Sequence, residues 1–172
     1  GDPVIYSLTT DLDFAEYEWN ITSTIGNFGS LFNGNNHTIS NITITSDTGA
    51  KNVNVFYKIQ NGTIMNVKFD NISITNNNLT SGKQVGIIGE IQGGYVHNVK
   101  VTNINAYGKE GIGGIIGSVT GGVNYISNCQ FDNTNAPEGY NIAAKNKYAG
   151  GIIGNCQKNS DQERIELHID NC

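Results

Sequence analysis

The side chains able to do chemistry in this chain are few and widely spaced. Asp70 and Asp132 each follow a phenylalanine and precede an asparagine, in Phe69-Asp70-Asn71 and Phe131-Asp132-Asn133. Two such carboxylates, held two strand spacings apart across Thr102, would lie about 9.6 Å from each other. An inverting glycosidase uses a pair at about that separation. The simpler reading is two solvated aspartates at strand ends. A polysaccharide lyase needs a base and a cluster of cations for the developing carboxylate charge. Arg164 is the sole arginine and the lysines stand singly, so no such cluster forms. Asp11 and Asp13 flank Leu12 without the ligand spacing of a calcium loop, and capping hydrogen bonds are their expected role. Cys129, Cys156 and Cys172 show no CxxC pair, and His37, His97 and His168 are scattered. No metal site and no cofactor is expected from them. Tyr95, Tyr107, Tyr125, Tyr140 and Tyr148 could stack on sugars if exposed. Acceptor sequons for N-glycosylation occur at Asn20, Asn36, Asn41, Asn61, Asn71 and Asn78, and they would carry glycans only in a eukaryotic secretory pathway.

The elements that must position these groups are announced by composition. Charged residues make up 15% of the 172, while Asn occurs 26 times, Ile 23 times and Gly 22 times. A net charge of −5 with 37% hydrophobic residues does not describe a disordered chain. No apolar run approaches the length of a membrane-spanning helix, so no membrane insertion is expected. Ten Lys and Arg against 15 Asp and Glu exclude a basic nucleic-acid binder.

Those abundant residues repeat. A string of apolar-x-Asn-apolar appears as Ile39-Ser40-Asn41-Ile42, Ile64-Met65-Asn66-Val67, Val96-His97-Asn98-Val99, Ile126-Ser127-Asn128-Cys129 and Ile169-Asp170-Asn171-Cys172. A second motif precedes each one: Ser30-Leu31-Phe32, Asn54-Val55-Phe56, Val85 to Gly89, Gly113 to Gly117 and Gly150 to Gly154. Tight turns lie between the two, at Asn33-Gly34, Asn61-Gly62, Gly93-Gly94 and Gly121-Gly122. A third segment begins at Phe69, Val101 and Phe131, and it places a second Asn five positions after the first, in the pairs 66/71, 98/103 and 128/133. Short alternating segments rich in β-branched residues, with no helical stripe, read as strands. Three strands in each of five units predict an all-β parallel β-helix of about five coils. Ile64, Val67, Val96, Val99, Ile126 and Cys129 should face inward. Asn66, Asn98, Asn128 and Asn171 should stack as an amide ladder, and Gly89, Gly117 and Gly154 should sit where a Cβ would clash. Residues 1–30 read as an N-terminal cap and entry strand, and residues 31–172 as coils. Cys129 and Cys172 fall in one slot of successive coils, close enough for a disulfide or for a reduced thiol ladder.

Leu8 to Phe14, Phe32 to Ile39, V-G-I-I-G at 85–89, G-G-I-I-G at 113–117 and I-S-N-C at 126–129 together resemble the GLUG-type repeat regions of large bacterial surface and secreted proteins. These include the N-terminal regions of immunoglobulin A-cleaving metalloproteases and many predicted adhesins. The resemblance implies a right-handed parallel β-helix with the opening segment as its cap. The sequence departs from the proteases by lacking H-E-x-x-H, so peptidase activity does not carry over. What carries over is a stalk or display role. The expected function is therefore a non-enzymatic, secreted or cell-surface module: a stalk, an adhesin or a filament subunit. The alternatives are a carbohydrate-active β-helix enzyme and a self-assembling extracellular fibre. Expected partners are the rest of the same polypeptide or neighbouring subunits, and host or environmental glycans. Because the chain stops within the Asn motif of its fifth coil, it is expected to be the start of a longer β-helix or to have that end covered by a partner.

Overall fold

The computed structural model describes residues 4–20, 24–47, 53–80, 84–158, 160 and 164–172. The strands are β1 (Ile5–Ser7), β2 (Leu12–Asp13), β3 (Ile25–Phe28), β4 (Leu31–Asn33), β5 (Thr38–Ser40), β6 (Thr43–Ser46), β7 (Phe56–Asn76) and β8 (Ile88–Gly108). They continue as β9 (Ile112–Gly113), β10 (Ile116–Ser127), β11 (Gln130–Asp132), β12 (Ile142–Ala144), β13 (Ala149–Gly150), β14 (Ile153–Cys156) and β15 (Ile165–Asp170). All pairings between them are parallel. The architecture is a β-solenoid. One slot runs Tyr6, Phe32, Ile64, Val96, Ile126, Ile169 through successive levels. Successive turns are led by β3, β7, β8 and β10, about four in all.

Asparagine makes the corners. β7 and β8 are each 21 residues long and still wrap around the core, because single residues break the extended backbone. Asn61, Asn66 and Asn71 have φ of 56°, 54° and 54°, and Asn98 and Asn103 have 51° and 54°. Asn enters this left-handed region more readily than other residues with a side chain. Each such corner puts two outward residues in succession, so inward positions are spaced alternately two and three apart. Ile64, Val67, Phe69, Ile72 and Ile74 follow that rhythm and all are buried. Burying each of these large side chains contributes about 1.5–3 kcal/mol. The amides then bond from level to level. Asn66 Nδ2 donates to Asn33 Oδ1 at 3.2 Å, Asn98 Nδ2 to Asn66 Oδ1 at 2.9 Å, and Asn171 Nδ2 to Asn128 Oδ1 at 2.6 Å.

Pairing corrects the register of the early turns. Ile39-Ser40-Asn41 does not stack on Ile64-Met65-Asn66: Ile39 pairs with Phe69 and Ser40 with Asp70. Asn71 Nδ2 donates to Asn41 Oδ1 at 2.7 Å, so Asn41 belongs to the second corner. Phe32 takes the Ile64 slot, and Ile25, not Leu31 or Phe32, opposes Phe56. The entry segment is itself wound in, since β1 and β3 already pair in parallel with β4 and β7. A second correction falls after Asp132. Ala106 pairs with Ile142 and not with Ala136, because residues 133–141 leave the coil and return. Asn133 closes the gap by imitating a strand: its Oδ1 accepts from Ile104 N at 2.8 Å and its Nδ2 donates to Ile104 O at 2.7 Å.

The Gly-Gly-Ile-Ile-Gly motif has a close-packing cause. A Cβ on Gly113 would collide with the Ile116 carbonyl, and one on Gly150 with the Ile153 carbonyl. Cβ atoms on Gly114 and Gly151 would come within 2.5 Å and 2.7 Å of the Phe131 ring. On Gly154 a Cβ would lie 2.5 Å from the Ile112 backbone one level down. Among the described residues, no helix is long and apolar enough to cross a membrane.

Candidate binding faces

Two outward faces collect the side chains singled out by type. The first lies between the corners at Asn61 and Asn66 and their equivalents. Thr63, Tyr95, Tyr125 and His168 stand in register on it. The Tyr95 and Tyr125 rings stack at 4.8 Å with planes 9° apart, and Tyr125 stacks on His168 at 4.7 Å and 10°. These separations equal the spacing between strands, so the coil repeat itself places the rings face to face. Tyr125 therefore has rings on both faces and cannot accept a sugar ring, whereas Tyr95 stacks on one ring and has Thr63 in the adjacent level on its other side. Beside the stack, His97 Nδ1 and Ser127 Oγ share a hydrogen bond of 2.8 Å, and His168 Nε2 meets Glu166 Oε1 at 2.8 Å. Tyr148 is exposed elsewhere, while Tyr107 and Tyr140 are half-buried.

The second face carries the aspartates. Asp70, Thr102 and Asp132 occupy one outward slot in three successive levels, with Lys68 and Lys100 in the slot beside them. Partial burial works to raise the Asp70 carboxyl. The hydrogen bond from Thr102, the Lys68 charge and the bond from Asn103 together outweigh it and hold the group below its usual value. The Asn103 bond is 2.9 Å and Lys68 Nζ lies 3.6 Å away. Asp132 is lowered by the Thr134 side chain and backbone. A glycosidase acid must instead stay protonated near neutral pH. The slot geometry thus places the two carboxylates as the spacing expects, but both are ionised hydrogen-bond acceptors.

A pH dependence follows for Asp70. Its folded pKa lies below the ordinary 3.8, so its stabilising contribution is complete above that pH and is lost as pH falls further. Unfolding midpoints in urea are expected to drop between pH 5 and pH 2.5 in the native chain. Asp70→Asn should make that decline shallower. An identical pH profile in the two chains would contradict the assignment.

Asp11 and Asp13 close the first turn. Asp11 Oδ1 accepts from Thr38 N at 2.9 Å and meets His37 Nδ1 at 3.0 Å, and Asp13 Oδ1 accepts from Asn41 Nδ2 at 2.7 Å. Cys129 is buried and its N–H donates to Cys172 Sγ at 3.4 Å in the next level. Burial, above all, pushes the Cys129 thiol up to about 12. Cys129, Cys156 and Cys172 are all free thiols. Among the sequons, Asn41 and Asn71 commit Nδ2, the atom that would carry a glycan, to Asp13 and Asn41. Asn36 and Asn61 are exposed corners, and Asn78 Oδ1 accepts from Thr80 N at 3.0 Å. Asn20 is exposed, and the rest of its sequon lies outside the described residues.

One polar set escapes the motif reading. Lys58 Nζ lies 3.0 Å from Glu90 Oε1, both side chains being mostly buried, and Thr120 Oγ1 donates to the same oxygen at 2.7 Å. The signal was the pairing of Phe56 with Ile88, which puts Lys58 opposite Glu90.

No protein-family model matches the sequence, and no curated protein does. The fold is similar to the crystal structure of a Bacteroides ovatus protein provisionally named an immunoglobulin A1 protease, with a TM-score of 0.52 and 19% identity. The match covers 98% of this chain and 58% of that one, so this chain spans less than two thirds of its neighbour. The likeness is one of fold. It fits a β-helix region of the kind the quoted motifs resemble, while the GLUG repeat itself is not matched.

Proposed function

We propose that this chain is a non-enzymatic β-solenoid module of a secreted or cell-surface protein, acting as a stalk that presents an adhesive surface. One observation carries the reading: of the four aspartates singled out for chemistry, three are tied up between coils, and Asp132 accepts from Thr134 on its own turn. Asp11, Asp13 and Asp70 each accept hydrogen bonds from the next level. Residues held this way rigidify the tube, and a rigid tube of stacked turns is suited to spacing and display. The resemblance to surface and secreted proteins supports an extracellular setting. Glycans, the remainder of a longer polypeptide or neighbouring subunits are the proposed partners.

The rivals are direct to test. The neighbour's name suggests immunoglobulin A1 as one substrate, and β-helix enzymes suggest polysaccharides. Incubation with immunoglobulin A1, and with neutral and acidic polysaccharides, is expected to release no peptide fragments and no reducing ends. Turnover of any of these, above a heat-denatured control, would overturn the non-enzymatic reading.

A further inference from the structure

Away from the two faces, a polar hollow of about 220 Å³ is lined by Gln84, Glu110, Ser118, Lys147 and Asn155. Its charges are matched within the chain, with Lys147 Nζ 3.1 Å from Glu110 Oε2, and nothing in it selects a ligand. A second hollow, of about 340 Å³, lies at the first turn, where the segment after β2 stands beside the outer side of β6. Phe14, Tyr17 and Trp19 make an aromatic wall, and the exposed Thr43 and Thr45 face it with hydroxyls. Phe14 meets Trp19 edge to face at 5.0 Å and 81°, and Tyr17 at 6.2 Å and 72°, so it braces both rings. Tyr17 is 71% exposed, and among the described residues no ring stacks flat on it.

We propose that the aromatic hollow anchors one ring of an uncharged glycan chain, whose next sugars run up the tube from it. The inference rests on the adhesive reading above and gives that surface a place and a ligand class. Trp19 Nε1 is buried and has no hydrogen-bond partner. A buried indole N–H ordinarily finds an acceptor, and leaving it without one is costly. The group that would complete the hollow is therefore an acceptor, which an organic ammonium ion does not offer. Glu18 is the charged residue of the lining, and residues 1–50 contain no Lys or Arg. A phosphate, sulfate or uronate would meet that carboxylate with no cation to offset it. A sugar hydroxyl suits both groups, for it accepts from the indole and donates to Glu18 or to the threonine oxygens. Tyr17 supplies the platform for the apolar face of the ring. Because Nε1 is covered, the wall must give way as the sugar enters, and Tyr17 is its most exposed aromatic member. The volume lies at the lower end of the about 300–1,000 Å³ of small-molecule pockets, which suits a single ring. The hydroxyl wall continues beyond it. Thr43 stands opposite Ser73 and then Asn105, and Thr45 opposite Thr75 and then Tyr107. These outward rows climb about 4.8 Å per turn and offer polar partners to the following sugars.

Trp19 is the one tryptophan of the sequence, so its emission reports on this hollow alone. The whole chain is titrated with linear hexasaccharides of glucose, mannose and N-acetylglucosamine, followed by tryptophan fluorescence and by saturation-transfer NMR. Hexagalacturonate and tetramethylammonium serve as the anionic and cationic counterparts. At least one neutral hexasaccharide should shift the Trp19 emission to saturation and show transfer, with its monosaccharide at least tenfold weaker. Tyr17→Ala should weaken binding at least fivefold, and Thr45→Val, which keeps the branched shape and loses the hydroxyl, at least threefold. Both positions are exposed, so each variant should keep its thermal midpoint within about 2 °C. The site is overturned if no neutral hexasaccharide binds, if either charged probe binds more tightly, or if both variants bind normally. Saturation transfer without any response of Trp19, abolished in Tyr95→Ala, would overturn the site while leaving the adhesive reading in place. Binding in the hollow with release of reducing ends would do the reverse, keeping the site and overturning the non-enzymatic reading.

Discussion

Gly113→Ala is expected to cost at least about 4 kcal/mol, near the top of the range for a single substitution. The backbone conformation is not the reason, for Gly113 is not among the glycines of positive φ. The reason is space. A Cβ would sit inside the Ile116 carbonyl group, within 2.6 Å of its carbon and 3.0 Å of Gly154 N in the next level. None of these atoms is the end of a flexible side chain. The backbone itself would have to move, and it is hydrogen-bonded: Gly113 N donates to Val85 O at 2.9 Å, and Ile116 N to Ile152 O at 2.9 Å. Shifting it would disturb three levels at once and loosen the packing of Ile112, Ile115 and Ile116, all fully buried. A domain of this size has about 5–15 kcal/mol in all. The variant should therefore unfold at low urea or accumulate insoluble, read by far-UV circular dichroism and by the soluble yield. Gly26→Ala is the control. A Cβ there meets nothing within 4 Å, and the residue sits in an exposed stretch of β3. It should melt within about 0.5 kcal/mol of the native chain. A native-like Gly113→Ala would show that close approach of the coils is not what the glycines supply.

The solenoid is legible in the sequence because its cause is local. An Asn able to turn left, two inward apolar residues and another Asn five positions on define each side without reference to the rest of the chain. The same economy hides the register. Ile39-Ser40-Asn41 and Ile64-Met65-Asn66 look alike because every corner uses the same chemistry, and only pairing shows that they belong to different corners. The departure after Asp132 is hidden for a related reason. Asn133 stands where a corner residue is expected, but it spends its amide on Ile104 and has no positive φ. The aspartate row was legible because each member sits beside a motif residue. The polar hollow lined by Gln84, Glu110, Ser118, Lys147 and Asn155 was not, for these come from separate segments and all lie outside the repeating strings. Polar residues between motifs carry no period, and their meeting depends on how the wall folds over the tube.

The corner asparagines do two things at once, and Asn66 allows them to be separated. Its φ is 54°, where a residue with an ordinary side chain loses about 1–2 kcal/mol. Its amide also donates to Asn33 and accepts from Asn98, at 3.2 Å and 2.9 Å. Each bond is worth about 0.5–1.5 kcal/mol net, with the lower end more apt because the corner is partly open to water. Asn66→Ala gives up both contributions, and about 3 kcal/mol of destabilisation is expected in urea unfolding. Asn66→Gly keeps the left-handed corner free of strain and loses only the amide, so about half that cost should remain. If the glycine variant matched the native chain, backbone handedness alone would explain why these corners are asparagine, and the stacked amides would add nothing. If the two variants were equally damaged, the ladder would be the whole cause. The intermediate result is expected because glycine is itself available and frequent in this chain, with 22 residues, and takes corners at Gly93 and Gly122, where φ is 74° and 71°. Asparagine at the remaining corners adds an axial hydrogen bond that glycine cannot make, and that bond ties each turn to the next.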